Sequence, residues 1–175
     1  MSSPPAPRVE AAVDEEGPTG AHGARAAVCH NRHMHAATII SCTDQDMPSE
    51  SEVVDLYDAV GWRAYTDAPE TLMAGLRGSL RVVVARSQGR LVGLARVVGD
   101  GATICYLQDV LVHPDARRQG LGGRVVQEAF APFTAVRQHV LITDEEAEQK
   151  AFYESLGFSQ FGAAIPGRTF VRFGG

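Results

Sequence analysis

Residues 81 to 113 hold three apolar segments in close succession, and short polar turns join each segment to the next. The segments RVVVAR, RLVGLARVVG and ATICYLQDVLVH are rich in β-branched residues, which favour strands. The connections SQGR and GDGA carry the glycine that tight hairpin turns require. This spacing predicts an antiparallel three-stranded meander at the centre of the fold.

Helical patterns and shorter strands flank this meander. Before it, we expect a strand at Ala36–Ser41, a helix from about Glu50 with Ser49 as its N-cap, and a second helix from Pro69 to Gly78. After it, a helix buries the apolar positions Leu121, Val125, Val126, Ala129 and Phe130.

A strand at Gln138–Thr143, a helix that ends at Gly157 and a last strand at Thr169–Phe173 complete the pattern. The order β-α-α-β-β-β-α-β-α-β predicts a mixed α/β (α+β) fold with a single, mostly antiparallel sheet flanked by helices.

The first 36 residues differ from the rest of the 175-residue chain, since they are rich in Pro, Ala, Gly and charge and have no apolar period. We predict a disordered tail over residues 1–36 and one folded domain over 37–175. The tail contains CHNRHMH, whose spacing matches no standard zinc pattern, so we predict no metal site.

Charge and composition exclude several classes of function. The net charge of -5 argues against a general nucleic-acid binder, and no apolar run is long enough to span a membrane. Three scattered cysteines are too few for a disulfide framework, which favours a reducing, cytoplasmic setting.

The stretch HPDARRQGLGGRVV follows the third strand of the meander and leads into a helix. Such a loop presents several backbone N–H groups at a helix N-terminus, where they attract phosphate. No Gly-Lys-Ser/Thr follows, so this is not a Walker loop, and an antiparallel meander does not precede a Rossmann fingerprint. The alternative is a tight turn without a ligand.

Two segments together resemble the GCN5-related N-acetyltransferase (GNAT) superfamily over about Ile39 to Phe173. The loop is similar to the family's Arg/Gln-x-x-Gly-x-Gly/Ala motif, and AFYESLGF is similar to its Phe-Tyr-x-x-x-Gly-Phe segment. The resemblance implies a sheet splayed between its central strands and acetyl-CoA as the cofactor. It also implies cofactor contacts at Leu111, Val112, Arg117, Arg118, Gln119, Gly120, Leu121, Gly122 and Gly123.

The same resemblance implies transfer of an acetyl group to a primary amine by direct attack through a tetrahedral intermediate. Tyr153 is the expected general acid for the departing thiol. Phe152 and Leu156 lie four apart and are expected to face the core, which turns Tyr153 off that line. The alternative is a tyrosine that only packs.

The general base stays open. YLQDVLVHP resembles the strand of the polyamine-acetylating branch, in which a glutamate stands where this chain has Gln108, and glutamine cannot accept a proton. Asp109 faces the other side of a regular strand unless a bulge intervenes. It binds the substrate ammonium, acts as a base through water, or is structural. Glu146 stands where the family usually has an asparagine linked to the cofactor.

The segment DAVGWRAYTDAPETL offers Trp62 and Tyr65 beside Tyr57 and Asp67, in a region that shapes the acceptor site in the resembled family. With Gln108, these residues are the expected substrate contacts, and rings with acids suit a small cationic amine. Two alternatives remain: an acetyltransferase for protein lysine or N-terminal amines, and a non-catalytic acyl-CoA sensor. We expect no nucleic-acid or membrane partner, and leave a homodimer open.

Overall fold

A computed structural model describes residues 37–42 and 45–170 of the chain. The predicted tail and its CHNRHMH segment lie outside these residues. The predicted last strand is wrong where it can be checked, because Thr169 and Phe170 are not in a strand. The Phe170 side chain is 87% exposed, so no strand or helix of the described residues covers it.

Five strands and five helices make up the described fold, and their order confirms the predicted mixed α/β class. They are β1 (Thr38–Ser41), α1 (Glu50–Ala59), α2 (Arg63–Thr66), α3 (Pro69–Arg77), β2 (Arg81–Ser87), β3 (Arg90–Gly99), β4 (Ile104–Val112), α4 (Leu121–Phe130), β5 (Gln138–Leu141) and α5 (Ala147–Ser155). The sequence did not predict α2, because four residues are too short to show a helical period.

The strands form one sheet in the order β1-β2-β3-β4-β5. The first three pairings are antiparallel, as the meander requires, and β4 pairs with β5 in parallel. Helix α4 covers one face, where Leu121 packs over Gly93, and α3 covers the other, where Gly75 lies against Arg96. No helix within the described ranges is long and apolar enough to cross a membrane.

Helix α1 begins with a reciprocal cap. The Ser49 hydroxyl accepts from the backbone N–H of Glu52, and the Glu52 carboxylate accepts from the backbone N–H of Ser49. The same carboxylate forms an ion pair with Arg86 of β2, so it joins the helix to the sheet. The Arg86 guanidinium and the cap lower the pKa of Glu52 to about 2.

A β-bulge at Gln108 interrupts the pairing of β3 with β4. Arg96 pairs with Asp109 and Val97 pairs with Leu107, so Gln108 is the extra residue. At the same level β4 and β5 separate, because their pairing covers only Ile104–Leu107 against Gln138–Leu141. The C-terminal half of β4 therefore has an edge without a strand partner in the described part of the chain.

We expect Glu52→Gln to lower the free energy of unfolding by about 0.5–1 kcal/mol at pH 7, since the ion pair is partly exposed and screened. A depressed carboxyl pKa gives stability above its ordinary value near 4.5, which is lost as the pH falls toward 2. Urea unfolding at several pH values should show the difference shrinking over that range. The first-turn variant Glu50→Gln is the control, and a difference independent of pH contradicts the assignment.

Candidate active site

The separation of β4 from β5 creates a cleft whose first wall is the edge of β4. In an antiparallel pair, alternate residues direct their backbone groups toward the partner. The N–H of His113 donates to the carbonyl of Val92 in β3, at 2.8 Å, and the register places Leu111 in the same phase. The N–H of Leu111 thus points into the sheet, and those of Val110 and Val112 point to the cleft.

The sequence resemblance names the amides of Leu111 and Val112 as cofactor contacts. The Val112 amide points to the cleft, whereas the Leu111 amide points into the sheet. Val110 takes its place as the second amide of the open edge. The sequence could not supply this phase, because it depends on how β3 and β4 pair beyond the bulge.

The glycine-rich loop follows directly from this edge. The guanidinium Nε of Arg117 donates to the Val112 carbonyl at 3.3 Å, and the His113 Nδ1 accepts from the Asp115 N–H at 3.1 Å. Burial lowers the pKa of His113, and the neighbouring Arg90 lowers it further. A neutral imidazole is therefore favoured, which suits its role as an acceptor at the start of the loop.

Arg118 and Gly120 both have left-handed backbone conformations, with φ of 61° and 68°. Left-handed residues just before a helix form the concavities that bind anions through backbone N–H groups. Arg118, Gln119 and Gly120 are exposed, and α4 begins at Leu121. The loop thus offers an accessible, donor-rich helix N-terminus beside the edge of β4.

The glycines of the loop have different environments. A Cβ on Gly120 would meet nothing within 4 Å, so this glycine keeps space open above the loop. A Cβ on Gly122 would lie 3.4 Å from Phe152, and one on Gly123 would lie 3.6 Å from Leu156. Gly122 and Gly123 therefore allow α5 to pack closely on α4, and Gly120 is the glycine suited to ligand approach.

Tyr153 is the most buried aromatic residue of α5, at 5% exposure, while Phe152 and Leu156 are only half-buried. Phe152 and Leu156, which were expected to face the core, pack on α4, and the expectation that Tyr153 points off the core is wrong. It lies on a second buried face of the helix. Burial raises the pKa of Tyr153, and the nearby Asp144 and Tyr106 raise it further, so the hydroxyl stays protonated.

Asp109 is fully buried and has two partners. One oxygen lies 2.5 Å from Arg96 Nε and accepts a hydrogen bond from the Tyr57 hydroxyl at 2.9 Å. The other oxygen is buried with no partner among the described residues. The bulge turns Asp109 toward α1, so the carboxylate is already neutralised by Arg96 and keeps one oxygen for a further donor.

The expected substrate contacts Trp62 and Tyr65 form a ring cluster with Tyr57, with centroids 5.6–5.8 Å apart. Tyr57 and Trp62 are buried, whereas Tyr65 is half-buried and forms the accessible side. Burial raises the pKa of Tyr65, and a hydrogen bond with the Gln108 side chain opposes this. The bulge thus brings Gln108 to the cluster, while Asp67 is exposed in the turn after α2.

Sequence reasoning missed Tyr106 of β4. Its phenol is near enough to raise the pKa of both Tyr65 and Tyr153, so it lies close to the ring cluster and to the candidate acid. Burial raises the pKa of Tyr106, and a hydrogen bond with the backbone of Ile142 offsets part of this rise. Tyr106 could have been identified from the sequence because it lies two residues before Gln108 on the same predicted strand.

The segment after β5 and the start of α5 carry buried polar atoms without partners among the described residues. Seven such side-chain atoms occur in the described part of the chain, and four belong to Thr143, Asp144 and Gln149. Buried polar groups are normally hydrogen-bonded. With the open edge of β4 and the loop, these atoms fit a long ligand that has amides at its centre and phosphates at one end, as coenzyme A has.

Comparison with known proteins supports this fit. The family described as the acetyltransferase (GNAT) domain matches residues 78–160, which contain β2 to α5 and the loop. A GNAT-family acetyltransferase from Streptococcus pneumoniae is 33% identical, with a TM-score of 0.65, and the match covers 78% of this chain and 98% of that one. An aminoglycoside N-acetyltransferase solved with CoA, 16% identical with a TM-score of 0.60 over 82% of this chain and 97% of that one, shares the fold.

Two curated relatives match shorter stretches. The chloroplastic serotonin N-acetyltransferase 2 of Oryza sativa is 34% identical over 86 residues, which cover 49% of this chain and 43% of that protein. An N-acetyltransferase of Porphyra purpurea, ycf52, is 28% identical over 110 residues, or 61% of this chain and 63% of that protein. The chain therefore spans less than two thirds of either relative. The Streptococcus pneumoniae protein, which is 33% identical and is matched over 98% of its length, shows with the family match that the chain belongs to the GNAT family of acetyltransferases.

Proposed function

We propose that this protein transfers the acetyl group of acetyl-CoA to the primary amine of a small, cationic, aromatic or alkyl molecule. The observation that carries the proposal is the cleft between β4 and β5. An unpaired strand edge and a glycine-rich helix N-terminus form one side of it, and helix α5, which carries the buried Tyr153, packs beside that helix N-terminus. These three parts match the chemistry of acetyl-CoA, which has phosphates, amides and a thioester.

The residues divide the binding work along the groove. The loop from Arg117 to Gly123 holds the pyrophosphate through its backbone N–H groups and the helix dipole. The N–H groups of Val110 and Val112 face the pantetheine and the acetyl carbonyl. Bound acetyl-CoA supplies an activated thioester, and a preorganised backbone N–H stabilises the oxyanion that forms when an amine attacks it.

Tyr153 acts as the proton donor to the departing sulfur. Because burial raises the pKa of Tyr153, its hydroxyl keeps its proton across the physiological pH range and can donate it to a ligand. No described residue hydrogen-bonds to this hydroxyl. It is therefore available to a ligand in the cleft.

The amine must lose its proton before it attacks, and the carboxylate nearest to the site is only partly available as a base. Gln108 cannot accept a proton, and Arg96 and Tyr57 already occupy one oxygen of Asp109. The remaining oxygen of Asp109 can accept a hydrogen bond from the amine or from an intervening water. Asp109 thus orients the acceptor and relays its proton, and its main stabilising partner is Arg96.

The ring cluster forms the acceptor side of the site. Tyr65 presents its accessible ring, Trp62 backs it, and the indole Nε1 of Trp62 is buried without a partner among the described residues. Aromatic faces attract cations and stack on rings. The rice relative is named for serotonin, an aromatic amine, which supports an arylalkylamine acceptor for this chain.

The cofactor loop is tested by Gly120→Asn. Asparagine tolerates the left-handed conformation, so the fold should survive while its side chain fills the space above the loop. We expect acetyl-CoA affinity in calorimetry to fall at least about tenfold, because the phosphates lose close approach. Gly89→Asn is the matched control, since Gly89 has φ of 81° and equally open space but belongs to the hairpin turn between β2 and β3. Equal affinity for both variants contradicts the loop assignment.

The acid is tested by Tyr153→Phe, which removes only the hydroxyl. We expect kcat to fall by about 10²–10⁴-fold, with little change in acetyl-CoA affinity, because general acid catalysis is lost. Tyr106→Phe is the comparison, since this second phenol lies close by, and we expect its effect to be below about tenfold. A larger loss with Tyr106→Phe than with Tyr153→Phe would move the role to Tyr106.

The acceptor is tested with a panel that contains serotonin, tryptamine, an alkyl diamine and a lysine-containing peptide. Thiol release should be fastest with the aromatic amines. Tyr65→Leu should raise KM for these by about 5- to 30-fold, or about 1–2 kcal/mol of lost ring contact, with a smaller effect on the diamine. Turnover with the peptide alone would favour a protein acetyltransferase. Tight acetyl-CoA binding without any turnover would favour a sensor.

A further inference from the structure

Gln149 of α5 is fully buried, yet neither its amide nitrogen nor its amide oxygen has a hydrogen-bond partner within the described residues. A buried amide without partners is unfavourable, and native proteins rarely retain one without a ligand or water. The mechanism proposed above does not use it. An amide that lacks both a donor and an acceptor partner is complementary to another amide.

The position of Gln149 relates it to the cleft. It lies four residues before Tyr153, so both side chains share the buried face of α5, about 5–6 Å apart. The neighbouring Thr143 and Asp144 also carry unpartnered buried oxygens. These polar atoms therefore continue the wall of the cleft beyond the candidate acid.

The direction of α5 sets the order of these groups along the groove. Because β4 and β5 run parallel and α5 returns after β5, the N-terminal half of α5 lies toward the loop that follows β4. Moving from Tyr153 to Gln149 thus leads away from the thiol position and toward the phosphate loop. In coenzyme A, the group met next after the thiol in that direction is a secondary amide.

We propose that Gln149 binds the pantetheine amide nearest the thiol, with its amide N–H₂ donating to the pantetheine carbonyl and its amide oxygen accepting from the pantetheine N–H. Two methylene groups separate that amide from the sulfur, a span close to one helical turn of about 5.4 Å. This inference rests on the proposed function. A carboxylate such as Glu146 can only accept a hydrogen bond, whereas the Gln149 amide can also donate one to the pantetheine carbonyl.

The Gln149 side chain is inaccessible, so the pantetheine reaches it only if the surrounding side chains move. Binding favours that movement, because it supplies the hydrogen bonds that the buried amide lacks.

Gln149→Leu tests this inference, because leucine fills a similar volume without polar atoms. The ligand-free variant should melt about 2–6 °C higher than the wild type, since an unpartnered buried amide is removed. Its Kd for CoA in calorimetry should rise about 5- to 100-fold. Its Kd for ADP, which has the pyrophosphate but no pantetheine, should stay within about twofold.

The exposed residue Gln127 provides the control, and Gln127→Leu should change neither the melting temperature nor either Kd. Gln149→Met repeats the test should the leucine variant fail to fold. A lower melting temperature for both Gln149 variants, an unchanged Kd for CoA, or an equal loss of ADP binding each overturns the inference. Failure of the wild type to bind CoA rejects the proposed function instead.

Discussion

The buried contact of Asp109 with Arg96 and Tyr57 is the constraint on which the site depends. It fixes β4 to β3 at the bulge and fixes both strands to α1 in a single interaction. Removal of one partner from such a pair leaves a buried charge, which is strongly destabilising. Three residues that the site uses, Gln108, Val110 and Val112, lie within three positions of Asp109 along β4.

Three consequences follow from the bulge. Gln108 turns toward Tyr65, which closes the acceptor side with a polar group. Beyond the bulge, the alternation of backbone groups is shifted by one residue, so that Val110 and Val112 direct their N–H groups toward the cleft. The separation from β5 begins at the same level, which opens the groove where those N–H groups become available. One irregularity in one strand thus shapes both halves of the site.

The sequence allowed most of the fold to be predicted, because the relevant signals are local. Strand β3 has the predicted limits, Ser49 caps α1, and the glycines of the two hairpins lie in left-handed turns. The bulge was not predictable, since it arises from pairing between strands. The buried face of α5 was also missed, because Gln149 is a polar residue at a position that a hydrophobic period assigns to solvent.

The packing of helix α5 also bears on the length of the acyl group. It is packed on α4 through Gly122 and Gly123, so Tyr153 stands at a fixed depth relative to the phosphate loop. In the proposed reaction, a cofactor held at the loop places its sulfur at that depth whatever acyl group it carries. Every additional methylene would then extend into the space that the acceptor must also occupy. Acyl length and acceptor size would therefore compete for one volume, and the proposed amine acceptor would favour a short acyl group.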